Sequence, residues 1–541
     1  MKISNNIIRT IFFLLCTSLV VSCQKEDKIF SEPYEKGKEA LGIKIDAAQV
    51  PTPSFGLPGS TVSINATGLL PYKDELVFRF NGEDAEVSEV TDKGIKAIVP
   101  KNASTGVLSI SIGDVVFFGP QYTVTGLINI DPTFRATRGA NGPVSQVLVT
   151  NDEKRILIGG FTNYDNKGII KPINRIVRTF PDGTYDASLR TGNGANGFLE
   201  AIVQLGDKYY LGGGFGGYDR TNSNISNLTR LNANGTLDTL AYDNTFRRPD
   251  QADTIKYYPT FNGGFNSAVN QLYEQDGKLI AVGGFRYYVS RTYDKPNRLE
   301  TRDSVILDSI EIRQIARLNT DGSLDKSYRF NSTTNTGLAG PNGPIRSFMH
   351  EDGTHEGKMV VFGSFTRFDD QDKRYILRLN PDGTIDNTFN PGGVGADFGV
   401  SQVTYNSITK KYLIQGAFKA YNGVPIERLA LLNEDGTLDD SFSPRAFAGG
   451  EPTFAKQLND GLILVSGYFK TYDGIARNGF MILDSTGDLA EGYNATGLFS
   501  GRIYDIHETQ AEDEKRALLI FGGFNRFNSL PVENIIRVIL E

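Results

Sequence analysis

Seven times along the chain the same short phrase returns: an apolar run, a pair of Gly or other small residues, a Phe, and a second aromatic three residues later. The copies read ILIGGFTNYD, YLGGGFGGYD, IAVGGFRYYV, VVFGSFTRFD, LIQGAFKAYN, LVSGYFKTYD and LIFGGFNRFN. Their lead aromatics are Phe161, Phe215, Phe285, Phe365, Phe418, Phe469 and Phe524, spaced by 54, 70, 80, 53, 51 and 55 residues. A unit of about fifty residues with strand-like content cannot bury its apolar face alone, so such arrays stack into propellers or solenoids. This one feature fixes an all-β class for most of the 541 residues. A repeated aromatic beside repeated small residues is what packing between neighbouring sheets requires, so the phrase reads as core, not as a ring of ligand-stacking groups.

Around each phrase the grammar is constant. A first apolar strand, such as VSQVLVT at 145–151, leads through a polar turn to the Gly-Gly-Phe strand. A third strand ends in an Arg-Leu-Asn-like triplet, followed by a DG turn and a D-x-x-F/Y strand. The turns are Asp182-Gly183, Asn234-Gly235, Asp321-Gly322, Asp382-Gly383 and Asp435-Gly436, with a degenerate Thr486-Gly487. Such pairs between apolar runs signal tight hairpins, because both residues tolerate positive φ. Arg178, Arg230, Arg317, Arg378 and Arg537 close the third strand, and Asp186, Asp238, Asp325, Asp386 and Asp439 follow the turn, with Asp131 in that slot at the array's start. This predicts one cross-strand ion pair per unit. Unit five has Leu431 for Arg; unit six loses both partners, with Ile482 and Ala490. The chain ends on a third strand with no turn after it and the array opens on a D-x-x-F strand with none before it. Residues 127–134 are therefore expected to pair with 535–540, which removes the open edges.

RLNANGTLD, RLNTDGSLD and RLNPDGTID resemble the delta-60 repeat, a β-propeller family, over about three quarters of the chain. The resemblance implies a seven-bladed β-propeller over 127–541. Residues 45–125 carry PGSTVSINATGLL, ELVFRFNGEDAEV, GIKAIVPKNASTGVLSISIG and FFGPQYTV, which resemble an IPT/TIG domain, an immunoglobulin-like β-sandwich whose usual role is to space or orient a neighbour. Entry to the ring at Leu127 predicts this domain on the DG-turn side or its rim.

The first residues are read as an address. Lys2 and Arg9 precede a short apolar run, Ile11 to Val21, about half of the ~20 residues that span a bilayer. Val20-Val21-Ser22-Cys23 resembles a lipobox, which implies a signal peptide over 1–22 and lipidation of Cys23. Gln24-Lys25-Glu26-Asp27 resembles the surface-export signal of Bacteroidetes-type lipoproteins, so 23–44 is expected to be a lipid-anchored linker and the protein to sit on the outer membrane, exposed at the cell surface.

Composition prunes the functions. Both Cys residues, 16 and 23, lie in the first 23 positions and only three His occur, so neither a disulfide framework nor a His/Cys metal site is expected. The net charge of −7 and the lack of a basic cluster speak against nucleic acid. No cofactor fingerprint or catalytic residue is identified, and GGGFGG at 212–217 is an instance of the repeat. Function is then sought where the repeat departs from itself: the insertions 247–260 and 286–311, with Tyr257, Tyr258, Tyr287, Tyr288 and Tyr293 as candidate contacts to ligand or partner, or else as the groups that fold the insertions down. Proteins of the resembled class accompany SusC/SusD-type systems, which implies a non-enzymatic ligand-binding or scaffold component of glycan uptake, with a glycan or an outer-membrane transporter component as partner. A propeller enzyme with a pair of acids in its central pocket, glycosidase or lyase, is the alternative, and an adhesion or protein-partner module the third.

Overall fold

A computed structural model describes residues 41–244, 254–296 and 303–541. The expected signal segment, Cys23 and the tether up to residue 40 lie outside the described residues, as do parts of both insertions. Among the described residues every regular element is a strand, apart from two single 3₁₀ turns.

Residues from Lys44 to Val124 form a sandwich of a four-stranded and a five-stranded sheet. Val62, Ile64, Phe78, Phe80, Leu108 and Ile110 fill the space between them, in the alternation that half-buried strands require.

From Ile128 onward come seven sheets, each built on one copy of the repeated phrase. Their innermost strands are Val144–Val149, Phe198–Leu205, Val269–Gln275, Ile345–Met349, Val400–Asn406, Pro452–Gln457 and Ser500–Gln510. Each pairs antiparallel with the strand that carries the phrase, which pairs in turn with the third strand. The core is not one mass but seven clusters, one between each sheet and its predecessor. Phe161 packs with Leu519 and Phe521 of the last sheet, Phe215 with Ile156 and Ile158 of the first, and Phe524 with Phe454 and Leu464 of the sixth. All seven lead Phe residues are at most 4% exposed, which places them in the core as expected. With the last cluster joining sheet seven to sheet one, the ring is closed. The closing strands pair in the expected place: Ile128, Asn129 and Ile130 lie opposite Leu540, Ile539 and Val538.

Two expectations are corrected. The D-x-x-F segment is not a full fourth strand in sheets one to six. It makes a single bridge, such as Thr179 to Tyr185, and then leaves the sheet. In most units the Asp itself is the reason: Oδ1 of Asp186, for example, accepts hydrogen bonds from the N–H and Oγ of Ser188, a local turn that competes with the ladder. The sandwich, moreover, does not sit on the DG-turn side: among the described residues its contacts are with connections at the opposite end of the strands. It rests on the rim of sheets six and seven, where the Thr105 N–H donates to the Ala495 carbonyl (2.8 Å) and Arg477 Nη1 to the Asn102 carbonyl (3.0 Å). Arg477 sits in the connection between second and third strands, the same class of connection that carries the 286–311 insertion. What separates the sandwich from the insertions is therefore its sector of the ring, sheets six and seven against two and three.

Candidate functional site

The Gly-Gly-Phe phrase explains the centre of the ring. The first Gly of each pair (159, 213, 283, 363, 416, 467 and 522) lies against a backbone carbonyl at the start of the innermost strand, where any Cβ would collide: Pro143 O for Gly159, Phe198 O for Gly213, Arg502 O for Gly522. In six of the seven sheets this close approach accompanies a β-bulge at the same place, between Val144 and Gln146, Leu199 and Ala201, Val269 and Gln271, Val400 and Gln402, Pro452 and Phe454, and Ile503 and Asp505. A bulge inserts one unpaired residue and re-aims its side chain. The inserted residues are Ser145, Glu200, Asn270, Ser401, Thr453 and Tyr504, and in sheet four Arg346 takes the position without a bulge. All seven line one cavity of about 500 Å3 on the ring's axis, to which every sheet contributes.

The channel wall is stitched from sheet to sheet. Gln146 accepts from the Ile202 N–H (2.8 Å), Gln271 from the Ser347 N–H (2.8 Å) and Gln402 from the Ala455 N–H (3.0 Å), so each side chain fixes the next innermost strand. Two carboxylates line the channel. Asn270 Nδ2 donates to Glu200 at 2.5 Å, and Lys456 Nζ donates to Asp505 at 2.9 Å. Burial pushes the Asp505 carboxyl up, but the charges of Lys456 and His507 and the hydrogen bonds it accepts prevail and hold it below the usual carboxylate range. Exposed aromatic surface stands beside them, with Phe198 36% and Tyr504 37% accessible.

The expected ion pairs are present in five units: Arg178–Asp186, Arg230–Asp238 and Arg317–Asp325 at 2.8 Å, Arg378–Asp386 at 2.7 Å, and Arg537–Asp131 across the closing strands. A Lys at the start of the second strand reaches the same Asp in units one to five, Lys154, Lys208, Lys278, Lys358 and Lys411, and in unit five Lys411 at 2.8 Å is left as the partner of Asp439. In unit six, which lacks both charges, the buried Asn494 ties the segment after the turn back to the third strand. It accepts from the Ile482 N–H at 2.9 Å and donates to the Ile482 carbonyl at 2.8 Å. These contacts are architectural. Arg230, Arg378 and Arg537 each also donate to a carbonyl just ahead of the next unit's turn, Thr320, Glu434 and Pro181, and so latch successive sheets. Burial pushes the Asp186, Asp325 and Asp386 carboxyls up, yet the Ser or Thr, Arg and Lys hydrogen bonds win and hold them well below the usual range. Groups whose folded pKa is depressed stabilise above their unfolded pKa, about 4, and lose that contribution as pH falls toward the folded values. Melting temperature should therefore be nearly flat from about pH 7 to 5 and fall steadily below about pH 4; a melting point unchanged at about pH 3 would contradict the pairing.

The five candidate Tyr residues divide. The insertions are two β-hairpins, Thr239–Asn244 with Thr254–Pro259 and Tyr287–Pro296 with Asp303–Glu311. They pack on each other, the Tyr258 and Tyr293 rings stacked at 4.5 Å and 6°. Tyr293 is 3% exposed and donates to the Pro259 carbonyl, and Tyr288, also 3% exposed, donates to the Gly322 carbonyl. Both are spent on folding and offer a ligand no surface as they stand. Tyr258 is half-buried, while Tyr257 (69%) and Tyr287 (36%) face outward.

Tyr288 belongs to a set that sequence reading missed. Tyr164, Tyr218, Tyr421 and Tyr472, at the same place in the phrase, each donate to the carbonyl of the Gly in their own unit's turn. Unit four has Phe368 instead, and there Arg329 lies over the ring at 4.7 Å and supplies the missing donor to Gly383 O (2.8 Å). Unit seven has Phe527 and no such turn. The signal was available: in the five units that pair a second Tyr with a turn Gly, hydroxyl and turn occur together, and the unit without a turn has no hydroxyl.

Among the described residues no group of three or more His, Cys, Asp or Glu is placed to hold a metal, and no helix is long and apolar enough to cross a membrane.

Fold and site define a β-propeller with an N-terminal β domain. Residues 313–328, 357–389 and 410–442 match the family described as a domain of unknown function (DUF5122) beta-propeller, and residues 19–120 match a domain of unknown function, DUF5008. No curated protein matches the chain. Among solved structures it is similar to the WD40 β-propeller domain of Doa1 (11% identity, 76% of this chain and 97% of that one, TM-score 0.41). It is also similar to a putative 6-phosphogluconolactonase from Bacteroides fragilis (12%, 72% and 96%, TM-score 0.32). A third is an auxiliary nutrient binding protein from Bacteroides ovatus (11%, 72% and 99%, TM-score 0.20). At these identities and scores, none of the three speaks to the chemistry of this chain.

Proposed function

We propose that the protein is a surface-displayed outer-membrane lipoprotein that binds a glycan in the propeller channel without cleaving it, as an accessory to a SusC/SusD-type uptake system. The observation that carries the binding reading is the ring of re-aimed side chains: seven innermost strands give the same backbone position to residues that stay out of the apolar clusters, and all seven line one cavity. Rigid scaffolds that spend strand geometry this way place binding groups. The lipoprotein reading rests on Val20-Val21-Ser22-Cys23 and on the absence of any later Cys. The sandwich, an IPT/TIG-like spacer in this reading, would hold the ring off the membrane. A non-catalytic role is favoured because both channel carboxylates are engaged, Asp505 by Lys456 and Glu200 by Asn270. The partner-module reading has one observation of its own: the paired hairpins expose Ile255, Tyr257 and Leu307, each more than 60% accessible.

The test has two arms. Cys23→Ala should abolish acyl labelling and release the protein from membranes, since a single site carries the whole anchor; wild-type protein retained without a label would refute the anchor. Residues 24–541 on a glycan array, with a parallel hydrolysis assay, should show binding and intact ligand; product release would favour the enzyme.

A further inference from the structure

We infer that the channel is selective for acidic saccharides, with Arg346 and Arg502 receiving the anionic group of a uronate or sulfated sugar. The inference rests on the glycan-binding reading above and narrows it. Five charged side chains line the cavity: Glu200, Arg346, Lys456, Arg502 and Asp505. Three are basic and two acidic, so the site is cationic in a chain of net charge −7. Pairing sharpens the contrast. Lys456 is neutralised by Asp505, while Glu200 keeps its charge but is held by the Asn270 amide, so the two Arg residues still outweigh it. Neither Arg346 nor Arg502 forms an ion pair or side-chain hydrogen bond among the described residues, and both are exposed to the cavity.

The repeated Arg residues of the ring, by contrast, are committed. Arg178, Arg230, Arg317, Arg378 and Arg537 each hold an Asp. Two uncommitted guanidinium groups on the axis are therefore a departure from how the repeat uses Arg. Guanidinium presents a planar fork that fits carboxylate and sulfate oxygens, and a cleft with low-dielectric walls focuses its field. The neighbours suit a sugar. Arg502 lies 6.0 Å from the Tyr504 ring, whose face is partly open, and the Phe198 ring lies in the same cavity. An apolar ring face takes the C–H face of a pyranose while Ser145, Asn270, Ser401 and Gln402 offer hydrogen bonds to its hydroxyls.

Titration calorimetry on the chain without its expected anchor, residues 24–541, would use three probes: oligogalacturonate, a chondroitin sulfate oligosaccharide, and neutral maltoheptaose. The acidic probes should bind more tightly than the neutral one, and the first two distinguish carboxylate from sulfate. Arg346→Gln and Arg502→Gln should each raise the acidic probe's Kd about tenfold or more, the loss of one charge-assisted contact. Arg138→Gln, an exposed Arg away from the channel, should change nothing and so exclude a general charge effect. Arg346→Lys, which keeps the charge and loses the fork, should fall between. Melting temperature checks folding of each variant. Equal binding of the neutral probe with no effect of either Gln variant would overturn the selectivity and leave glycan binding standing. No binding of any probe would overturn both.

Discussion

Deleting residues 127–134 is expected to abolish cooperative melting of the ring. The segment is short, but three independent contributions end with it. Ile128, 4% exposed, leaves the cluster between sheets six and seven, a loss of about 2 kcal/mol for one buried aliphatic side chain. Asp131, 2% exposed, no longer pairs with Arg537, which is 4% exposed and would be left as a buried unpaired cation, costing about 3–5 kcal/mol. The edge of Ile535–Leu540, six consecutive buried residues, becomes free to pair with another chain. The sum approaches the whole stability of an ordinary domain, about 5–15 kcal/mol. Scanning calorimetry should show a broadened or missing transition, and light scattering should rise on warming. A single sharp transition at the wild-type temperature would mean that the closing strand does not hold the ring.

The second large effect is expected at Arg378. Its side chain is 1% exposed, and it donates to Asp386, to the Glu434 carbonyl of the following unit and, at 3.3 Å, to Tyr412 Oη. Asp386 receives Lys358 as well, at 2.8 Å. Arg378→Ala leaves a carboxylate half-matched and a turn carbonyl without its donor, and should cost about 3–5 kcal/mol in denaturant unfolding. Asp386→Leu alone should be comparably harmful. Arg378→Met combined with Asp386→Leu should cost clearly less than the sum of the single changes, because removing both charges also removes the desolvation burden. Additivity would argue that the two side chains do not act as a pair.

The features legible in the sequence share a property: they recur. Phe161 and its six counterparts announce themselves by period, and the Arg and Asp of each unit announce their pairing by failing together in unit six. The closing pair of strands was legible because each end of the array lacks what the other has. The channel was not legible, for a physical reason. A bulge residue carries no periodic mark, since it is the extra residue that breaks alternation, and Ser145, Glu200, Asn270 and Tyr504 have nothing in common but their place. The Tyr-to-Gly hydrogen bonds were hidden because their acceptor is a carbonyl, which every residue has; only the loss of the hydroxyl in the unit without a turn betrays it. The Tyr residues of the insertions were visible, but composition does not tell an aromatic that anchors a hairpin, such as Tyr293, from one that faces solvent, such as Tyr257.

The bulged residues owe their place to the backbone, although Ser145 also reaches the Ile158 and Leu199 carbonyls and Asn270 holds Glu200. Their neighbours on either side, Val144 and Gln146 or Val269 and Gln271, carry the strand pairing, and the collision that demands Gly on the adjacent strand involves a carbonyl, not a side chain. Replacing Ser401 by Glu, or Tyr504 by Arg, both exposed and outside every apolar cluster, leaves the packing between sheets without a changed contact. The ring thus separates what makes it stable from what it recognises. Within this one chain the position has already been occupied by hydroxyl, amide, carboxylate, guanidinium and phenol. Mutational drift at seven sites could redirect such a protein to a new nutrient while its melting behaviour stayed the same, which is a route to diversification that a packed active site does not offer.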